Sequence, residues 1–434
     1  MKRVGVVGGT GYVGIVTAVG LADTGCEVHA VDLNKRAVAD LKRGIMPIYE
    51  EGLAPLVEKN MSSGRLHFHT ELKPMVEAGD IIFVAVGTPA TASGEADLTQ
   101  IIEVAEELAG LMTGYKVIVI KSTVPVGTFE LFHDILSNHG KQAGVDFDLV
   151  SNPEFLREGS AVYDFFHPDR VVVGAEREAA GRLVGELFAP FQAPVIYTTI
   201  RNAQLIKYAA NVFLATRVSF INEIAQICER IGADVTEVAY GIGLDKRIGT
   251  HYLNAGIGFG GPCLVKDLKA LIKIAENFDY DPRLLRAVYE KNRHQIKSIA
   301  AKVKNALGGL LHYKKIGVLG LTFKPDTDDV RTSLAIDIIN ALTGSGALVK
   351  AYDPQGARQA LKALPGVHIC KDIAEAAEGV DLLLILTAWK EFEHIDLAAV
   401  KSRMRGKHIV DGVNILNHQH AVAAGFNYQG VGRN

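Results

Sequence analysis

The stretch Val4-Gly5-Val6-Val7-Gly8-Gly9-Thr10-Gly11-Tyr12-Val13-Gly14 runs an apolar segment into a GxGxxG turn, Gly9 to Gly14, and the apolar residues Ile15, Val16, Ala18, Val19 and Leu21 follow at once. Strand, glycine turn and helix in that order let a backbone approach a pyrophosphate. The glycines remove the side chains that would hold the anion off, and the helix N-terminus meets its charge. Asp32 ends the next β-rich run, eighteen residues beyond Gly14. A carboxylate there accepts from a ribose 2′-hydroxyl and repels a 2′-phosphate, so the expected cofactor is NAD rather than NADP.

Outward from this turn the first third alternates β-rich and helix-like runs, with strands expected over 3–7, 27–32, 81–86, 116–121 and 148–151. Further strands are expected over 170–174 and near 194–197. Such alternation predicts a doubly wound parallel sheet. Ile81-Ile82-Phe83-Val84-Ala85-Val86 is almost continuously apolar, as a strand covered on both faces must be. From Asn202 to about Gly232 there is no proline, and Leu205, Tyr208, Ala209, Val212, Phe213, Thr216, Phe220 and Ile224 recur at helical spacing. So long a helix suits a spine between domains or a subunit contact. A second apolar-glycine start, Ile316-Gly317-Val318-Leu319-Gly320, opens a further α/β alternation with strands near 347–353, 368–370, 380–387 and 408–411. The reading is α/β: a Rossmann-like unit over 1–200, a long helix and helical region over 201–306, and a smaller Rossmann-like unit over 307–434.

Composition bounds the function. The 434 residues are 48% hydrophobic and 22% charged, and 46 lysines and arginines against 49 acidic residues leave a formal charge of −3. No global basic field draws nucleic acid or an anionic membrane. The apolar run after Met1-Lys2-Arg3 is too short for a secretory signal, and no segment approaches a membrane span. Cys26, Cys228, Cys263 and Cys370 are scattered without a CxxC pair, which argues against a disulfide framework and a zinc site. A cytoplasmic protein without a metal is expected.

Candidate chemistry collects past strand ends. Ser151-Asn152-Pro153-Glu154-Phe155-Leu156-Arg157-Glu158-Gly159 lies at the carboxyl edge, where open α/β sheets bind ligands. Glu154 and Glu158 read either as a solvated pair or as reacting groups. Thr123, in Ser122-Thr123-Val124-Pro125, and Thr88, before Pro89, suit turns as well as a site. Lys207 and Asn211 project from one helix face a turn apart, although a helical lysine is ordinarily solvated. In Gly256-Ile257-Gly258-Phe259-Gly260-Gly261-Pro262-Cys263-Leu264-Val265-Lys266-Asp267, Pro262 is expected to start a helix and to put Cys263 in its first turn, where the dipole favours thiolate. Asp267, a turn later, raises the thiol pKa, so a cation such as Lys207 is needed to offset it. A small buried cysteine at a loop–helix junction is the bland alternative. Lys324 and Arg331 follow the first strand of the second α/β unit and can grip phosphate. A dinucleotide beside a nucleophilic cysteine suits oxidation of an aldehyde through a thiohemiacetal and a thioester to an acid.

Together, the Gly9–Gly14 loop, Pro47-Ile48-Tyr49-Glu50, Ser122-Thr123-Val124-Pro125, Asn152-Pro153-Glu154-Phe155-Leu156, Gly258-Phe259-Gly260-Gly261-x-Cys263 and Gly320-Leu321-Thr322-Phe323-Lys324 resemble the UDP-glucose/GDP-mannose dehydrogenase family over nearly the whole chain. The resemblance implies two NAD-dependent oxidations of a nucleotide-sugar C6 alcohol to the acid, with UDP-glucose as the expected substrate. GDP-mannose or a UDP-hexosamine is the alternative, and a non-catalytic nucleotide-sugar sensor a third. It implies Cys263 as nucleophile, Lys207 as the cation on developing oxygen charge, and Asp267 as base with Thr123 and Asn211, assisted by Glu154. It implies NAD contacts from Gly9, Gly11, Tyr12, Val13, Gly14, Asp32, Thr88, Thr123, Glu158, Lys266 and Arg331. Sugar-nucleotide contacts are implied for Glu154, Phe155, Leu156, Arg157, Glu158, Lys207, Asn211, Arg247, Tyr252, Leu253, Asn254, Ala255, Gly256, Gly260 and Lys324. A homodimer through the central helical region is implied as well. Leu264-Val265 stands where UDP-glucose members usually carry Phe-Pro, and leucine resembles the GDP-mannose branch.

Overall fold

Strands β1 (Arg3–Val7), β2 (Glu27–Val31), β3 (Leu66–His69), β4 (Ile81–Val84), β5 (Lys116–Ile120), β6 (Phe147–Ser151), β7 (Val171–Ala175) and β8 (Val195–Thr198) form one sheet, in a computed structural model that describes residues 1–89, 91 and 94–433. Their order is β3-β2-β1-β4-β5-β6-β7-β8. The first six repeat the 3-2-1-4-5-6 arrangement of the dinucleotide fold, whose ligand crevice opens where β1 and β4 part company. β7 joins antiparallel to β6, a departure from the all-parallel expectation.

The second sheet holds β9 (Lys315–Leu319), β10 (Leu348–Tyr352), β11 (His368–Ile369), β12 (Leu382–Ile385), β13 (His408–Asp411) and β14 (Asn427–Gln429), in the order β11-β10-β9-β12-β13-β14 with every pairing parallel. Counted from its own first strand, this order is again 3-2-1-4-5-6. The second unit therefore repeats the strand topology of the first.

Alternation explains both cores. Val4, Val6, Val28, Ala30, Phe83 and Val119 pack on one face of the first sheet, while Val7, Val31, Ile82, Val84 and Ile118 pack on the other. In the second sheet Val318, Ala351, Leu384 and Val410 oppose Leu319, Leu383, Ile385 and Ile409. Covering on both faces is what a central parallel strand requires, and it places the polar loops at the strand ends.

The long helix spans Ile200–Ile231, close to the range expected from its periodicity. The chain divides into two compact units, Met1–Ala210 and Asn211–Asn434. Among the described residues no helix is long and apolar enough to cross a membrane.

Candidate active site

In the first unit the glycine turn meets its steric requirements directly. A Cβ on Gly14 would lie 2.0 Å from the Gly8 carbonyl oxygen, so the helix Tyr12–Asp23 seats on the turn only with glycine there. A Cβ on Gly9 would press on Ala30 at 2.8 Å, whereas one on Gly11 would meet Gly8 O at 3.3 Å and nothing closer. Gly11 thus guards space rather than packing. No side chain caps the N-terminus of this helix, which fits an anion taking that role. Asp32 Oδ2 accepts from the Thr10 amide at 3.0 Å and the Thr10 hydroxyl at 2.7 Å, and Oδ1 accepts from the Asn34 amide at 2.9 Å. These bonds fix the carboxylate beside the turn and leave acceptor capacity for a ribose, so the residues fit NAD.

The loop after β6 is organised from inside. Asn152 Nδ2 donates to the Val172 carbonyl at 2.8 Å, and Asn152 Oδ1 accepts from Lys121 Nζ at 3.1 Å. Glu154 Oε1 lies 2.9 Å from Lys207 Nζ, and Oε2 accepts from the Leu156 amide at 2.6 Å. Glu154, Lys207 and Lys121 are all buried. Burial pushes the Glu154 pKa upward, but the Lys207 ammonium, the Leu156 amide and Lys121 outweigh it and hold the carboxyl below its ordinary value. Lys121 is pushed down to about 8, first by burial and then by the Lys207 charge, against the pull of Glu154. Lys207 is therefore not the solvated helical lysine that its residue type alone suggests.

Sequence reading assigned no role to Lys121 or Glu50. Glu50 is a buried anchor: its carboxylate accepts from the amides of Gly159 at 2.8 Å and Ala161 at 2.6 Å and pairs with the Tyr12 hydroxyl. Tyr12 in turn accepts from the Gly159 amide at 2.7 Å. The glycine turn and the Glu154–Glu158 loop are thereby tied to one carboxylate. The quoted Pro47-Ile48-Tyr49-Glu50 run was the available signal. Thr88 is buried and donates to the Thr123 carbonyl at 2.9 Å, joining the ends of β4 and β5. Phe155 stacks under the Arg170 guanidinium at 3.5 Å, while Arg157 is held by Asp164 at 2.5 Å.

In the second unit the glycine-rich loop is clamped before it reaches the cysteine. Asn222 Oδ1 accepts from the Gly256 amide and Gln295 Nε2 donates to its carbonyl, each at 2.8 Å. Asn292 holds both the amide and the carbonyl of Phe259 at 2.8 Å. Leu253 and Ala255 are buried, and Tyr252 and Asn254 are exposed. Gly260 lies so close to Thr332 that a Cβ would stand 2.5 Å from its carbonyl oxygen, and Thr332 Oγ1 donates to the Gly261 carbonyl at 2.6 Å. The loop thus meets the segment carrying Lys324 and Arg331, whose guanidinium is held by Asp329 at 2.6 Å.

Cys263 is exposed, unlike Cys26, Cys228 and Cys370. It is the N-cap of the helix Leu264–Asn277, one position before the first turn that Pro262 had suggested, with its own backbone already in the right-handed helical region. The thiol still sits at the positive end of the dipole. The Asp267 amide donates to the Cys263 carbonyl at 2.8 Å. Asp267 is 1% exposed and accepts from Asn211 Nδ2 at 2.5 Å and Lys266 Nζ at 2.7 Å. The Lys266 ammonium is thus paired with this carboxylate, a contact the sequence reading did not anticipate. Arg247, 88% exposed, forks onto Asp245.

Residues 2–192 match the NAD binding domain of the UDP-glucose/GDP-mannose dehydrogenase family, residues 201–294 its central domain and residues 317–418 its UDP binding domain. A UDP-glucose 6-dehydrogenase of Bacillus subtilis is 47% identical over 100% of this chain and 94% of its own. One of Rhizobium meliloti is 44% identical over 98% of each chain. A UDP-glucose dehydrogenase structure from Pyrobaculum islandicum superposes with a TM-score of 0.93 at 38% identity, covering 100% of this chain and 98% of that one.

Proposed function

The chain belongs to the UDP-glucose/GDP-mannose dehydrogenase family, and from that premise we propose that it oxidises the C6 alcohol of UDP-glucose to UDP-glucuronate through a thioester on Cys263. The observation that carries the reading is the exposed Cys263 thiol at a helix N-cap, with the buried Asn211–Asp267 pair beneath the same helix turn.

NAD, when bound, accepts a hydride in each of the two oxidations. The first converts the alcohol to the aldehyde and releases a proton. Cys263 sulfur then adds to the aldehyde carbon, forming the C–S bond of a thiohemiacetal whose oxygen carries the displaced electron pair. Lys207, held in place by Glu154, stabilises that oxygen. Loss of the second hydride leaves the thioester. Asp267, positioned by Asn211, takes a proton from water as it attacks the carbonyl, the C–S bond breaks, and the acid leaves. Alcohol and water together yield two hydrides, three protons and the carboxylate. Thr123 and Glu154 assist in orienting the water and the substrate.

The nucleotide sugar is assigned to Phe155, Leu156, Arg157 and Glu158, the 252–256 segment, Gly260, Lys324 and Arg247, with the 307–434 region holding the UDP. Lys266 and Arg331 are assigned to NAD. We read the protein as a cytoplasmic homodimer, because Leu205, Phe213, Phe220 and Ile227 leave an exposed apolar series along the long helix. A reducing compartment keeps the thiol competent.

Counting NADH against UDP-glucose consumed tests the reaction: two per sugar is expected, and one per sugar or an accumulating free aldehyde overturns it. Cys263→Ala is expected to abolish acid formation while retaining ligand binding. GDP-mannose and UDP-hexosamines at equal concentration test the sugar and the base.

A further inference from the structure

β2 and β3 gather three histidines and a glutamate on one face of the first sheet's edge. Glu27 and His29 are two residues apart on β2 and point the same way. The parallel register sets His67 opposite His29, and His69 opposite Val31. Val28, Ala30, Leu66 and Phe68 take the other face and are buried. One ligand atom from each of Glu27, His29 and His67 lies within 4.8 Å of the other two, and all three residues are half-buried.

The hydrogen bonds prepare lone pairs. His67 Nε2 lies 2.9 Å from the Gly64 carbonyl, and a carbonyl only accepts, so Nε2 carries the hydrogen and Nδ1 of the neutral ring keeps its lone pair. His29 Nδ1 lies 3.0 Å from His69 Nε2, and His29 Nε2 lies 3.3 Å from Glu27 Oε1. When His29 donates from Nδ1 to His69, its Nε2 lone pair faces a carboxylate, a repulsion that a cation between them reverses. A ring with one nitrogen on a metal and the other donating to a neighbour is the usual state of a ligating histidine.

We propose that Glu27, His29 and His67 bind a divalent transition-metal cation of the zinc class, with His69 orienting His29. Imidazole and carboxylate donors suit such an ion. His67 is stacked on His29 at 4.7 Å between ring centres, so ligation turns its ring about the side-chain bonds, which a half-buried place on the edge strand allows. The His69 carbonyl accepts from the Asp32 amide at 3.1 Å. The ion would therefore clip the edge strand that supports the ribose-facing aspartate. The cysteine pattern, which led sequence reading to expect no metal, does not report on these histidines. His368, Cys370 and Glu375 form a second group with ligand atoms within 4.8 Å, but burial pushes the Cys370 thiol up to about 11 and resists the thiolate a metal needs.

Calorimetric titration of zinc ions into the untagged protein, in a Cys263→Ser background that removes the exposed thiol, tests the site independently of the dehydrogenase reading. One equivalent is expected to bind. His29→Gln and His67→Gln should each weaken it roughly 10-fold or more, and His368→Gln should leave it unchanged. Absence of saturable binding, or binding indifferent to the first two variants, overturns the proposal. Diethyl pyrocarbonate modification of the wild-type protein, read by peptide mass spectrometry, covers variants that fail to fold. Zinc should slow modification of His29 and His67, and equal reactivity with and without zinc overturns the site.

Discussion

Lys207 Nζ stands 2.9 Å from Glu154 Oε1, with the two side chains 4% and 8% exposed. A pair so far from water holds its geometry because each ion is costly without the other. Removing one partner of a buried pair costs about 3–5 kcal/mol.

Glu154→Gln is expected to lower stability by that order near neutral pH. The folded Glu154 carboxyl is held below its ordinary value, so the unfolded chain binds its proton first on acidification. The stabilisation is present above the unfolded value of about 4.3 and is lost as pH falls through the lower folded value. Urea unfolding of both proteins from about pH 6 to about pH 3 should show the gap closing toward acid.

Lys121 carries the same sign of linkage in a more alkaline window. Its folded pKa of about 8 lies below the unfolded value, so between them the unfolded chain binds more protons and stability from this group rises with pH. The stability of Lys121→Met relative to wild type should accordingly fall as pH climbs from about 8 to about 10.4. A difference that stays flat across that window would contradict the burial of a charged amine.

Two glycines of the turn should fail differently. Gly14→Ala drives a Cβ onto the Gly8 carbonyl and should destabilise the whole first unit, visible as a lower Tm. Gly11→Ala meets no such obstacle and should keep its Tm while losing NAD affinity.

If Asp32 receives the NAD ribose as proposed, its replacement by alanine removes a charged acceptor beside the glycine turn. An ionic hydrogen bond is worth about 1.5–3 kcal/mol, so KM for NAD should rise by roughly 10- to 100-fold. The preference over NADP should narrow, as steady-state rates with each cofactor will show.

Asn292→Ala leaves the amide and the carbonyl of Phe259 without their partner in a buried place, four residues before the cysteine. It should cost about 1–3 kcal/mol per group. The rate at which a thiol reagent modifies Cys263 should change with it.

What could be read from the chain alone follows from local chemistry. β1, the glycine turn and Asp32 were legible because covalent neighbours dictate them, and the long helix because its periodicity is uninterrupted by proline. β3, Leu66-His67-Phe68-His69, alternates apolar and polar residues as a half-covered edge strand does, but over four residues that alternation is too short to stand out from its surroundings. The three residues of β14 carry too short a pattern to register. The burial of Lys207, the service of Glu50 to Gly159 and Ala161, and the Lys266–Asp267 pair depend on residues brought together by tertiary folding. Residue type alone misjudged them.

The two sheets also share a fastening. Thr10 bonds to Asp32 through its amide and hydroxyl, and Thr322 bonds to Asp353 in the same way. Asp353, however, also accepts from Leu321, Gln355, Gly356 and the Trp389 indole, and is 2% exposed. Its oxygens are saturated, and Trp389 plugs the socket that its counterpart leaves ajar. One blueprint used twice thus leaves an aspartate with acceptor capacity to spare in a single copy, and an attempt to open the other would first have to extract the tryptophan.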